Sequence, residues 1–192
     1  MQTTHHKLNR SGYTLLEMLL VLGLLVVLAG FSAPHLMTAF RDNQLKESAE
    51  NVRVMMSGSR IRAMDTDSIW QFRYEPGGRH YLRVPYEILG DPAKVNSMKD
   101  ADELPKTMQF DGSQTAHQKL APELLEGLPD SRNLTSINWS TPILFFPDGT
   151  ATDVEFQVVA KDGGVRRVIV REMTGAVSVK KLETIDRSFK RR

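Results

Sequence analysis

Apolar residues are concentrated in one long run close to the start of the chain. No Asp, Glu, Lys or Arg occurs from Met18 to Phe40, a stretch of 23 residues in which Leu, Val and Ala predominate. At about 1.5 Å per residue, a helix of that length would measure roughly 35 Å and exceed a hydrocarbon core of about 30 Å. The pattern predicts a transmembrane helix over about residues 15–37. Because basic side chains precede it, we expect the short amino-terminal side in the cytoplasm and the bulk of the chain outside.

The helical pattern continues beyond the apolar run but narrows to a single face. Small and apolar residues recur at spacings of three and four, with charged residues mostly elsewhere around the helix. The stripe consists of Leu45, Ala49, Val52, Met56, Ser59 and Ala63. We expect it to pack on the chain's own folded domain, within one long helix covering residues 13–64. Residues 65–68, DTDS, are expected to end that helix.

The remainder of the chain is rich in β-branched and alternating residues. Residues 69–74 and 81–84 flank a Pro-Gly-Gly turn and predict a β-hairpin. Further strands are expected at residues 107–110, 143–146, 154–158, 165–170 and 177–179, with turns at 147–150, 161–164 and 174–175. The predicted fold class is α+β, with a long N-terminal α-helix packed on a C-terminal antiparallel β-sheet or β-sandwich domain, residues 65–192. Within that domain we expect an irregular insert at about 85–136, with a short helix near 122–126.

The composition carries no signal for catalysis. The 192 residues suit one domain with an appendage, and the absence of cysteine excludes disulfides, zinc-thiolate sites and thiol chemistry. His80 and His117, in the globular part, stand in no metal-binding or nucleophile motif. Asp148 and Asp162 are better explained as turn residues than as calcium ligands. We therefore predict no enzymatic activity, no metal and no cofactor.

One residue of the apolar amino-terminal segment is acidic. Glu17 is an ionisable group in a predicted membrane helix, where an unpaired charge costs a few kcal/mol. A cation at the same depth would relieve that cost. If the chain were cut between Gly12 and Tyr13, the new α-amino group of a neighbouring copy could supply it, and Glu17 would be the fifth residue of the mature protein. Further along, Pro34 removes a backbone donor and is expected to kink or locally melt the helix.

Residues 12–18, GYTLLEM, resemble the processing motif of type IV prepilins, in which a short basic leader ends in Gly. The resemblance implies that residues 1–12 are a leader, that a prepilin peptidase cuts after Gly12, and that Tyr13 is N-methylated. Glu17 matches the glutamate of that family. Pro34 becomes the twenty-second mature residue, where pilins often carry a helix-bending proline.

A second resemblance covers most of the folded domain except about residues 85–136. Residues 145–149 (FFPDG), 167–170 (RVIV) and 174–177 (TGAV) are similar to the C-terminal signature of the GspH/FimT group, and residues 57–72 fit its helix-to-strand part. That group comprises minor pseudopilins of type II secretion and minor pilins of type IV pili. The resemblance implies a pilin-like fold, a single-pass location in the inner membrane and a periplasmic domain. It also implies other pseudopilins or pilins, the peptidase, membrane lipid and secreted proteins as partners.

Residues 180–192 form a basic tail that ends in Lys190, Arg191 and Arg192. Without Lys7 and Arg10 of the leader, the chain holds 23 basic and 23 acidic side chains, so its overall charge does not favour a polyanion. A solvated end explains the tail adequately, whereas phosphate contacts by its last three residues would make the chain a DNA-binding minor type IV pilin.

The leading interpretation of the whole chain is a minor pseudopilin of type II secretion. The alternatives that stay open are the DNA-binding minor pilin and a solitary membrane-anchored binding module.

Overall fold

The computed structural model describes residues 14–90, 92–112 and 118–182, with residues 29–39 and 92 described by their backbone alone. The chain separates into two compact units, Met1–Arg41 and Asp42–Arg192. Helix α1, Leu15–Thr66, is 52 residues long and contributes to both units. The backbone stays helical at position 34, so the local melting expected at Pro34 does not occur. A bend at that position stays a prediction.

Helix α1 ends at a residue that turns into the left-handed region. Asp67 has a φ of 48°, and the Ser68 N–H donates to the Ala63 carbonyl at 3.3 Å. This is the Schellman arrangement, in which a residue of positive φ lets the chain turn back on the last helical carbonyls. The helix therefore ends within residues 65–68, as predicted, and runs two residues beyond position 64.

Within the described residues of the second unit, eight strands form two antiparallel sheets. The first sheet has the order β3-β2-β1-β5 and the second has the order β4-β6-β7-β8. The strands of the first sheet are β1 Trp70–Tyr74, β2 His80–Pro85, β3 Asp100–Glu103 and β5 Ile143–Phe145. Those of the second sheet are β4 Met108–Phe110, β6 Val154–Ala160, β7 Val165–Val170 and β8 Val177–Lys181. The α+β fold with a helix packed on antiparallel sheets is confirmed.

The predicted stripe of α1 is the face that packs on these sheets. All six of its residues are buried, and the least covered of them, Leu45, is only 2% exposed. Leu45, Val52, Met56 and Ala63 of the stripe belong to one core cluster with residues of both sheets. At the centre of that cluster, Phe156 of the second sheet stacks on Tyr74 of the first, with ring centroids 4.7 Å apart. Burial of the stripe is what holds this part of α1 in place.

Part of the polar stretch expected to be irregular covers the other face of the first sheet. It contains α2 Pro92–Asn96, α3 Pro122–Leu125, α4 Ser131–Ser136 and strands β3 and β4. The short helix expected near residues 122–126 is present, and so is the strand expected at 107–110. A second core cluster forms where Leu82 and Val84 of β2 meet insert residues. The insert residues in this cluster are Leu120, Leu125, Leu128 and Leu134, and Trp139, which follows the insert, joins them. The long insert therefore supplies the cover that lets β1 and β2 be buried on both faces.

The start of the predicted basic tail belongs to the second sheet. Lys180 and Lys181 lie in β8, opposite Arg167 and Arg166 of β7. They are ordered there because Val177 and Val179 of the same strand pack against the main core and extend the antiparallel ladder. Strand β8 therefore includes the first two residues of the predicted tail.

Candidate functional site

The first unit exposes an apolar helical surface around its whole circumference. From residue 14 to residue 28 every side chain is exposed, including Leu15 at 83% and Val26 at 71%. Helices of soluble proteins bury one apolar stripe, and a helix that is apolar all round needs an apolar environment on every side. The large apolar side chains on this surface are Leu15, Leu16, Met18, Leu19, Leu20, Val21, Leu22, Leu24, Leu25, Val26, Val27 and Leu28. No helix within the described residues meets the combined requirements of length and apolarity for crossing a membrane.

Glu17 is the one charged residue on this surface. It lies in the first turn of α1, and its backbone N–H donates to the Thr14 hydroxyl oxygen at 3.2 Å. Thr14 thus caps the helix, and the T-x-x-E spacing is that of a capping box. A carboxylate is also favoured here by the positive end of the helix dipole. Within the described part of the chain the Glu17 carboxylate has no ion-pair partner.

The other predicted site residues are not placed by the structure. Gly12 and Tyr13, the predicted cleavage pair, lie outside the described residues, as do Lys190, Arg191 and Arg192. The side chain of Pro34 is likewise not described, although its backbone is helical. Whether any of these residues lies near Glu17 stays a prediction.

Two turns from the predicted C-terminal signature meet on α1. The Arg60 Nε donates to the Gly149 carbonyl at 2.9 Å. Gly175 has a φ of 57°, and a Cβ built on it would lie 2.5 Å from the Gly149 oxygen and 2.7 Å from the Arg60 Cδ. Only a residue without a side chain fits such an approach. The residues that carry the resemblance therefore hold the helix to the second sheet.

A buried arginine joins α1 to the first sheet. Arg83 of β2 is 9% exposed, and its guanidinium donates to the Met55 carbonyl at 3.5 Å and to the Asp100 carboxylate at 3.1 Å. Burial lowers the pKa of Arg83, and the Asp100 charge opposes that shift. A Cβ on Gly58 would overlap the same guanidinium, so the helix and the sheet approach each other closely at this point.

A charged cluster joins the start of the second unit's helix to the second sheet. Asp42 of α1 accepts from Arg166 at 2.7 Å and from Lys181 at 3.1 Å. The hydrogen bond from Lys181, with the charges of both cations, lowers the pKa of Asp42 below its ordinary value of 3.8. Arg166 stands in the inward register of β7 with Val168 and Val170. A charged residue at an inward position of an otherwise apolar strand indicates a buried ion pair. Arg166 is therefore the sequence signal that could have revealed the contact with Asp42.

The remaining polar candidates are explained by local structure. His80 lies in β2, half-buried, with its Nδ1 2.6 Å from the Glu75 carboxylate and its Nε2 3.6 Å from Glu103. Asp148 accepts from the backbone N–H and hydroxyl of Thr150, and Asp162 accepts from the Gly164 N–H. Both aspartates are turn residues, as predicted. Among the described residues, no group of three or more His, Cys, Asp or Glu side chains could hold a metal ion.

A cavity of about 620 Å³ lies at the carboxyl end of α1. Trp70, Pro85 and Met98 are among its apolar lining residues. The polar lining combines cations with acids and hydroxyls and, among the described residues, brings no histidine or cysteine to the cavity. These polar residues are Arg62, Lys94, Asp65, Asp67, Glu87, Thr66 and Ser68. The volume suits a small ligand or a partner's side chain.

Comparison with known proteins gives one weak structural likeness. No protein-family model matches the chain, and no curated protein matches it. The minor pseudopilin EpsH from the type 2 secretion system of Vibrio cholerae superposes with a TM-score of 0.47 and 14% identity, covering 72% of this chain and 97% of that one. A likeness this distant does not assign a function.

Proposed function

We propose that the chain is a minor pseudopilin, a structural subunit of a type II secretion pseudopilus that acts in filament assembly and protein secretion. The observation that carries this proposal is the helical surface of residues 14–28, apolar on every side and interrupted by one carboxylate, Glu17. We infer that the subunit is anchored in the inner membrane by a single pass, with residues 65–192 in the periplasm.

The apolar surface suits two successive environments. Before assembly, lipid would cover the leucines and valines of residues 15–28. After assembly, the helices of neighbouring pseudopilins or pilins would cover them, which exchanges one apolar environment for another. Because that exchange alone favours no particular alignment, a polar contact is needed to set the axial position of one subunit against the next.

Glu17 is the group we assign to that task. The prepilin peptidase would cut between Gly12 and Tyr13 and methylate the new Tyr13 amine, which stays positively charged. This amine in one copy would pair with Glu17 of its neighbour. Each unpaired partner is costly in an apolar environment, and pairing relieves both costs. A bend at Pro34 would let the two halves of α1 follow different directions in the filament.

Substitution of Glu17 tests the pairing, and the capping box offers a matched control. Glutamine fills the third helical position of a capping box as glutamate does but carries no charge. We expect Glu17→Gln and Glu17→Ala to insert into the membrane normally and to be depleted from sheared filaments by about ten-fold or more, since several kcal/mol separate a paired from an unpaired buried charge. Glu17→Asp should retain part of the wild-type incorporation. If Glu17→Gln is incorporated normally and Glu17→Ala is not, Glu17 acts as a helix cap and the pairing argument fails.

One observation favours a second candidate function. Lys180 and Lys181 of β8 are exposed and precede the basic tail, so cations cluster at this end of the second sheet. In a DNA-binding minor type IV pilin, Lys190, Arg191 and Arg192 would extend that cluster and hold phosphates in a salt-dependent manner. Removal of residues 187–192 should then abolish DNA retention at moderate salt. Unchanged retention would exclude the tail as the DNA contact.

A further inference from the structure

The second sheet contacts the helical turn at which α1 passes into the second unit, residues 42–45. At the end of β8, the Lys181 Nζ lies 3.1 Å from the Asp42 carboxylate. The turn between β6 and β7 packs on the same part of the helix, because a Cβ added to its Gly164 would lie 2.9 Å from the Leu45 Cδ2. The end of β8 and this turn therefore share one surface with the start of the helix in this unit.

The segment between β3 and β4 extends the same surface. Pro105 lines a groove together with Gln44 of α1. The Thr107 carbonyl accepts from the Lys161 N–H at 2.9 Å, which joins this segment to the turn between β6 and β7. Lys106 lies between these two contacts. We call the whole surface the basal surface, and it consists of residues 42–47, 105–107, 161–164, 180–181 and Arg166.

Cations outnumber acids on the basal surface. Its exposed lysines without an ion-pair partner in the described part of the chain are Lys46, Lys106, Lys161 and Lys180. Arg166 and Lys181 both pair with the Asp42 carboxylate, so that cluster keeps one positive charge in excess. With the four lysines, the basal surface holds six cations.

The acids of the basal surface neutralise only part of this charge. They are Asp42, Glu47 and Asp162. Asp162 accepts from a backbone N–H of its own turn, and Glu47 is exposed. Glu103, in the neighbouring groove, is paired with Arg79. The basal surface therefore has a net positive charge and presents several ammonium groups to an anion.

The basal surface is close along the chain to the predicted membrane span. That span ends at about residue 37, five residues before Asp42. Five residues cover at most about 17 Å when fully extended and about 8 Å as a helix. The headgroup layer is about 5–8 Å thick on each side of the hydrocarbon core, and lysines reach towards it with long side chains. The connection is therefore too short to place the basal surface far from the lipid headgroups.

We propose that the basal surface binds the anionic phospholipid headgroups of the membrane that anchors the chain. Clusters of about four to eight lysines and arginines next to a membrane segment are attracted to anionic lipid, and neutral lipid does not attract them in this way. The inference rests on the proposed membrane-anchored subunit. It gives the unassembled subunit a second contact with the membrane, which holds the folded domain near the lipid until the helix leaves it for the filament.

Fluorescence quenching in vesicles that contain the full-length chain alone tests this contact. Because the chain has no cysteine, Thr107→Cys carries a single bimane label within the basal surface. The vesicles consist of phosphatidylcholine alone, or of phosphatidylcholine with about one-third phosphatidylglycerol, and both contain a phosphatidylcholine with a nitroxide on its headgroup. We expect phosphatidylglycerol to increase the quenching about two-fold or more. Salt at about 1 M, where the Debye length is about 3 Å, should remove that increase.

Neutralising two lysines shows whether charge causes the increase in quenching. Lys106→Gln combined with Lys161→Gln should reduce the increase about five-fold or more. Lys106→Arg combined with Lys161→Arg should retain it, because arginine keeps the positive charge. The matched control, Arg62→Gln combined with Lys94→Gln, removes two cations from the cavity at the carboxyl end of α1 and should leave the quenching unchanged.

A label at Met173→Cys is the positional control. Met173 is 83% exposed and lies two residues before Gly175, which packs against Arg60, roughly 27 Å beyond Asp42 along α1. Phosphatidylglycerol should therefore not increase the quenching of that label.

Equal quenching of the Thr107→Cys label in both kinds of vesicle would overturn the lipid contact. Equal loss in the glutamine pair and the matched control, or an increase of the same size at Met173→Cys, would also overturn it. Carbonate extraction of the same vesicles separates this failure from failure of the proposed function. A chain that resists extraction but shows no increase in quenching refutes the lipid contact alone, whereas a chain that is extracted has no membrane anchor and refutes the proposed function as well.

Discussion

The Arg60 side chain of α1 donates a hydrogen bond to the carbonyl oxygen of Gly149, a residue 89 positions later in the chain. Gly175 packs over this bond so closely that an added Cβ would overlap both partners. One helix residue and two glycine turns thereby fix the carboxyl half of α1 to the second sheet. This contact gives a physical reason for glycine at two positions of the predicted C-terminal signature.

Replacing Gly175 by alanine should destabilise the folded domain. The residue would have to adopt a φ of 57° and displace Arg60 or Gly149, and we expect a loss of about 1–3 kcal/mol in the free energy of unfolding. Gly163→Ala is the matched control, because Gly163 also has a positive φ but a Cβ added to it would meet nothing within 4 Å. Urea unfolding of the full-length protein in detergent measures both. Equal losses for the two variants would show that packing of Gly175 against Arg60 contributes nothing to the free energy of unfolding.

The buried stripe of α1 predicts a sharp contrast between two neighbouring positions. Met56 is 0% exposed and Val54 is 57% exposed. Met56→Ala should therefore cost about 2–5 kcal/mol through lost burial and the cavity left behind. Val54→Ala should change the free energy of unfolding by less than about 0.5 kcal/mol. A large effect at Val54 would contradict the orientation of the helix on the sheets.

Asp42 should make stability depend on pH in the acid range. Its pKa is lowered in the folded state, chiefly by the hydrogen bond from Lys181, so its contribution is present above the ordinary value of 3.8 and disappears as the pH falls through the folded pKa. Wild type should therefore unfold at higher urea than Asp42→Asn near neutral pH, and the two midpoints should converge on acidification. A difference between them that persists at the lowest pH would exclude Asp42 ionisation as its source.

Lys99 should control the order of the insert without affecting the main core. Its ammonium is nearly buried and donates to the Glu123 and Glu126 carbonyls at 3.2 and 2.9 Å, at the end of α3. Lys99→Met should leave these carbonyls unsatisfied and cost about 1–3 kcal/mol locally. Hydrogen exchange should speed up in residues 118–128 and stay unchanged in residues 154–170. Exposed Lys119→Met is the control, and equal acceleration in both regions would mean that the insert does not open separately.

The sequence predicted the helix and the strands in which buried residues recur at the regular spacing of that element. The stripe from Leu45 to Ala63 has helical spacing, and Phe156 and Val158 alternate with partly exposed neighbours in β6. The hairpin around residues 76–78 and the glycine turns were equally predictable, because turn geometry restricts residue choice at single positions. Those predictions needed only local information.

The structure of the insert and the polar contacts could not be predicted from local sequence, because both depend on residues that are distant in the chain. Strand β3 consists of Asp100, Ala101, Asp102 and Glu103, a sequence with little strand preference, and it forms because β2 offers it a partner. The Arg60–Gly149 and Asp42–Arg166 contacts join residues 89 and 124 positions apart, which no periodicity can reveal. The contact between Lys181 and Asp42 escapes sequence reasoning for the same reason, since the two residues are 139 positions apart in the chain.

Pairing of Glu17 with a neighbour's amine requires that residues 1–12 be removed, and mass spectrometry of the amino terminus of the protein isolated from its native membrane shows whether they are. We expect a chain that begins with N-methylated Tyr13, with Glu17 as its fifth residue. A chain that keeps residues 1–12 would lack the cation proposed to neutralise Glu17 in a neighbour. It would contradict the filament function and leave a solitary membrane-anchored module as the better explanation.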